Sequence, residues 1–204
     1  MTFTTGIVDA ASFLALGHVF TANMTGNIVL LGFALGGAAG LSAPRSLLAL
    51  GAFLLGALAG GRWTLHGTAK GWIVPAIVAE SALLGVAAAV SAVVPGSTKI
   101  YGVIAATALA MGLRNAVVRK IAIPDMTTTV LTLTVTGIAA DSSLAGGNNP
   151  HWQRRVGAVA AMLIGAAVGA AMVGRSLTAT LAACAGIAGA CALVHLRFES
   201  SRRQ

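Results

Sequence analysis

The chain repeats itself, and the repeat carries polar residues into segments that are otherwise apolar. Gly6-Ile7-Val8-Asp9-Ala10 returns as Gly112-Leu113-Arg114-Asn115-Ala116, and Thr25-Gly26-Asn27 returns as Thr132-Leu133-Thr134. The stretch GALAGGR at 56–62 returns as GAAMVGR at 169–175. The second half reads as a diverged copy of the first, 1–95 against 100–197, inside one transmembrane domain that covers 1–204. An apolar chain duplicated in this way, with polar residues at matching places, has the pattern of transporters and channels.

Lipid is the solvent this chain requires. It is 57% hydrophobic and 9% charged, against roughly 25% charged in an average soluble domain, so it cannot cover a soluble core with polar surface. The expected class is an all-α polytopic membrane protein whose first partner is the lipid bilayer. The net charge of +8 does not point to nucleic acid, because the cations stand singly or in twos and threes at the ends of apolar segments. Topology accounts for that placement, whereas a polyanion would need one basic face. Met1 runs almost directly into an apolar stretch without a basic region or cleavage site, so no cleaved leader is expected. Cys184 and Cys191 are seven residues apart in one apolar run. On a helix that is about 10 Å of rise, too far for a disulfide, and they read as packing residues.

Eight apolar stretches can be marked, at 2–17, 19–40, 46–65, 72–94, 100–118, 126–140, 156–174 and 177–196. Pro44, Pro95, Pro124 and Pro150 fall between them, whereas Pro75 falls inside one and predicts a bend near its start. If all eight cross, Lys and Arg divide seven against six between the two faces, which is no bias. If the second and sixth enter and leave on one side, the division becomes ten against three in favour of the face holding both termini. The positive-inside rule then selects about six transmembrane helices plus two short re-entrant or broken segments, with both termini cytoplasmic. Three crossings per copy turn the second copy upside down, which makes an inverted internal repeat.

Polar residues in hydrocarbon must meet each other, backbone or water. Asn23, Thr25, Gly26 and Asn27 open the second stretch, and Thr128, Thr132 and Thr134 belong to a Thr-rich run in the sixth, where Thr128, Thr132 and Thr136 share a helix face. One reading makes these a substrate-binding site where the two copies meet; the other lets the Thr side chains bond their own helix and pack. Asp9 and Glu80 are carboxylates at depth, Arg114 is a cation at similar depth, and Asn115 is the repeat-mate of Asp9. An Asp9–Arg114 pair would be structural, whereas a carboxylate that gains and loses a proton would supply coupling. Glycines four apart, at Gly32, Gly36 and Gly40, Gly56 and Gly60, and Gly165 and Gly169, read as close helix-packing positions. His18, His66, His151 and His195 lie near segment ends without a second ligand at metal spacing, and no hydrolase nucleophile motif occurs, so neither metal, cofactor nor enzymatic chemistry is expected.

Gly6-Ile7-Val8-Asp9-Ala10, followed by Phe20 and Asn23-Met24-Thr25-Gly26-Asn27, resembles the signature of the YoaK-like family of bacterial membrane proteins. Met111-Gly112-Leu113-Arg114-Asn115-Ala116 and the Thr-rich run after Pro124 resemble that family's second signature. The resemblance covers nearly the whole chain and implies a multi-span fold in the bacterial inner (plasma) membrane, with no established substrate. It also implies a longer apolar lead than the five residues ahead of Gly6, so the first span is either shortened or begins upstream of Met1.

Two functions fit these observations. The first is a transporter or channel for a small polar solute. The alternative is a non-transporting scaffold or accessory subunit. The two differ in whether water reaches the Asn and Thr clusters. The solute's identity, the energy source and any homo-oligomer are left open by the sequence.

Overall fold

A computed structural model describes residues 1–65, 69–121 and 131–201. Among them the apolar runs form eight α-helices: α1 (Thr2–Ala15), α2 (Met24–Leu35), α3 (Ala43–Trp63), α4 (Ile73–Val93), α5 (Gly96–Ile121), α6 (Leu131–Ala140), α7 (Trp152–Val173) and α8 (Leu177–Ser201). Helices α3, α4, α5, α7 and α8 are long and apolar enough to cross a membrane. The protein is therefore an all-α, multi-pass membrane protein. At 12 and 10 residues, α2 and α6 rise about 18 and 15 Å, well short of the ~30 Å hydrocarbon core.

Proline marks helix starts here. Pro44 stands in the first turn of α3, where its missing N–H would have had no partner. Pro75 does the same in α4, which begins at Ile73 after a short 3-10 turn, Ala69–Trp72. The bend expected inside this segment is thus the start of the helix itself.

Two interfaces of small residues hold the halves together. In one, α1 lies on α7: Phe3 meets Gly165, Ile7 and Ala10 meet Gly169, and Gly6 meets the backbone of Met162 and Ala166. In the other, α3 lies on α5: Leu109 meets Gly56, Leu113 and Ala116 meet Gly60, and Gly112 meets the backbone of Phe53 and Ala57. The two contact sets correspond residue for residue. Sequence similarity pairs Gly56 with Gly169, but packing gives that place to Gly165, one turn earlier, because Phe3 lies there as Leu109 lies on Gly56. Among the described residues Gly32 and Gly40 have open space around them and Gly36 meets only its own helix, so within that set this trio does not pack as its spacing predicts.

The core is layered, and the layers give each helix its direction. One layer joins Leu16, Ala49, Ala87, Val103 and Leu181. The next joins Ile7, Val8, Leu84, Ala110, Met111 and Cys184. Beyond it Ala76 packs with Leu113 and Val117, and Ile77 packs with Ala188 and Ala192. Residue numbers fall through these layers in α1 and α4 and rise in α5 and α8. Since α3 runs parallel to α5 and α7 parallel to α1, helices α1, α3, α4, α5, α7 and α8 alternate in direction. The start of α1 and the end of α8 share one end of the bundle. Arg62, Arg119, Lys120, Arg154, Arg155 and Arg197 lie toward that end, and Arg45, Lys99 and Arg175 toward the other.

Candidate functional site

After α1 the chain turns back into the bundle. Gly17, at φ +88°, makes the turn against the guanidinium of Arg45, which leaves no room for a side chain there. Residues 18–23 then descend to the level of Asp9 in mid-α1, and α2 climbs from that depth toward α3. Irregular backbone at such depth needs protein partners, and the polar residues of the segment supply them. Asp9 accepts from the Ala22 N–H at 2.9 Å. Asn27, fully buried, accepts from the Phe20 N–H at 2.9 Å, and its amide donates back to the Phe20 carbonyl. Asn23 caps α2 by accepting from the Gly26 N–H at 3.2 Å, and Gly26 has no side chain because the Phe20 ring lies against it. At the end of α6, Arg155 donates to the Gly137 carbonyl and to Asp141, tying the exit of α6 to the start of α7.

Arg114 and Glu80 form a buried ion pair at 2.7 Å, and the other arm of the guanidinium donates to Thr5 Oγ at 2.6 Å. The Asp9–Arg114 pair, one alternative the sequence offers, is not made among the described residues. Glu80 stands on α4, which packs antiparallel on α5 and brings a carboxylate directly to Arg114, while Asp9 is taken up by the backbone ahead of α2.

A cavity of about 800 Å³ opens where the starts of α2 and α6 meet. Thr5, Asp9, Asn23, Thr25, Thr132 and Thr136 supply its polar lining, and Phe20, Met24, Phe53 and Met162 its main apolar walls. Of the residues singled out in the sequence, Asp9, Asn23, Thr25, Gly26 and Thr132 therefore come together around one space. Asn27 does not line it, because its amide is engaged with Phe20. Thr134 is buried in α6 outside that lining. Glu80, Arg114 and Asn115 stand away from the wall, with Thr5 between Arg114 and the cavity. Thr128 lies outside the described residues. Sequence reasoning missed Thr5, Phe53 and Met162. Only the repeat could have found the last two, since they occupy corresponding places on α3 and α7. The thiols of Cys184 and Cys191 are both free.

Residues 1–194 match the family described as "Protein of unknown function (DUF1275)". Among curated proteins the chain is similar to the "UPF0700 transmembrane protein YoaK" of Bacillus subtilis (strain 168), with 37% identity over 148 residues, 69% of this chain and 63% of the relative. The aligned part thus spans less than two thirds of that relative's length. No solved structure matches the chain.

Proposed function

The chain belongs to the DUF1275 family, and from that membership and its own geometry we propose a small-solute transporter or channel of the bacterial inner (plasma) membrane. The observation that carries the reading is the cavity, whose polar lining comes from both short helices at the level where each begins. Hydroxyls and a carboxylate facing open space at mid-depth suit a hydrated or polar solute.

The architecture we infer is an inverted repeat with six crossings and two re-entrant segments. Its support is the alternation of the six longer-running helices and the exchanged partners, α1 on α7 and α3 on α5. In this arrangement α5 runs opposite to α1, α7 to α3 and α8 to α4, so a two-fold axis relating the halves lies in the membrane plane. The excess of Lys and Arg toward the end holding both termini supports a cytoplasmic placement of that end. No enzymatic step is assigned to the site.

Accessibility tests the reading. In a background of Cys184→Ala and Cys191→Ala, Thr132→Cys and Thr25→Cys should react with a membrane-impermeant thiol reagent in proteoliposomes. Rates should differ between the two faces of the membrane. Complete protection of both positions from both sides would favour the scaffold reading instead.

A further inference from the structure

We propose that the solute of this cavity is a small organic cation, a primary or quaternary ammonium, with Asp9 as its counter-ion. The inference rests on the transport reading and names the substrate class for the same site.

Charge is the first argument. Among the described lining residues Asp9 is the one ionisable side chain, with no Lys, Arg or His beside it. The guanidinium of Arg114 is held by Glu80 and Thr5, so it is not free to take an anion. Asp9 is 5% exposed, Glu80 0% and Arg114 3%, which sets two buried carboxylates against one buried guanidinium. The N-terminus of α2 offsets at most about half a charge, and its Gly26 N–H is already taken by Asn23. Among the described residues the site therefore gives Asp9 backbone N–H donors, from Ala22, Asn23 and Thr21, but no cation of its own, in surroundings where an unbalanced charge is strongly unfavourable. An anion entering it would face Asp9 without a partner.

The walls refine the chemistry. Phe53 and Met162 place an aromatic ring and a polarisable thioether in the wall, surroundings that favour ammonium groups over strongly hydrated ions, whereas the Phe20 ring is stacked on Phe13 and the Met24 sulfur accepts from Asn27. Hydroxyls of Thr25 and Thr132 can accept N–H groups or the solute's own polar tail. A bare metal ion would need oxygens closing around it at about 2.0–2.6 Å, and a broad, largely apolar space of about 800 Å³ is instead the size of a metabolite pocket.

The test uses the full chain, purified and also reconstituted in liposomes. Methylammonium, tetramethylammonium and choline are titrated at constant ionic strength beside sodium, acetate and glycerol, with binding read by calorimetry and thermal shift. At least one ammonium should bind saturably, and acetate and glycerol should not. Asp9→Asn keeps an oxygen for the Ala22 N–H and should weaken that binding by about tenfold or more. Phe53→Leu should weaken it by about threefold. Should Asp9→Asn fail to fold, Phe53→Leu and the preference over sodium decide in its place. Preferred binding of acetate or glycerol would overturn the proposal, as would ammonium binding indifferent to these substitutions, or no ammonium binding at all. A response to pH alone, with none to any ammonium, would overturn it too. If an ammonium binds but never crosses the liposome, the transport reading fails and this assignment survives. If another solute crosses while no ammonium binds, the reverse holds.

Discussion

Asn27 carries more of the fold than its place in an apolar helix suggests. Both polar atoms of its amide close on the backbone of Phe20. Asn27→Leu would leave the part-buried N–H and carbonyl of Phe20 without partners, at up to about 1–3 kcal/mol each. We expect a lower unfolding midpoint and poor recovery of monodisperse protein in detergent, whereas Thr25→Ala, at an exposed position beside it, should leave both unchanged. The buried ion pair makes a second case. Arg114→Leu strands Glu80, whose other carboxylate oxygen already has no hydrogen-bond partner, and should cost about 3–5 kcal/mol. Adding Glu80→Leu should recover most of that loss, which a double-mutant cycle of thermal midpoints would show. The sequence made both residues visible because a polar group in an apolar run needs a reason. It could not tell a solute ligand from a clasp on the chain's own backbone, since both employ the same hydrogen bonds, and the partner of Asn27 is main chain, which leaves no trace in residue type.

The same glycine spacing meets opposite fates in different helices. Gly6, Gly56 and Gly112 lie against backbone of the neighbouring helix, so a Cβ there has no space. Gly32 in α2 faces nothing among the described residues. Gly112→Val should therefore destabilise the protein by about 1–3 kcal/mol or more, while Gly32→Ala should stay within about 0.5 kcal/mol of the parent; thermal unfolding of the two variants side by side would check this. Periodicity reveals that a small-residue face exists, but burial of that face depends on which helix arrives, and α2 is too short to be enclosed. The long helices were legible from run length and proline. That α2 and α6 are short was legible mainly through the charge count at the loops, because a short apolar helix looks like part of a span.

Seen whole, the molecule has one strongly basic end and one weakly basic end, and this makes its orientation testable. In the cysteine-free background, Lys99→Cys and Arg175→Cys should be labelled by an impermeant reagent applied to intact cells, and Arg62→Cys, Lys120→Cys and Arg154→Cys should be spared. Labelling of position 62 together with position 99 would remove the six-crossing topology. The parallel pairs bear on biosynthesis. Helices α1 and α3 find their glycine-faced partners only in the second half of the chain, so the ribosome releases each long before its mate exists. Contacts so distant in sequence close slowly, and until α7 arrives α1 must wait beside lipid or an insertase with Asp9 already at depth. Docking of α7 onto α1 is then the late event that seals the bundle. Fragments cut at the tight α4–α5 junction should be degraded when made alone and should assemble when made together in one cell.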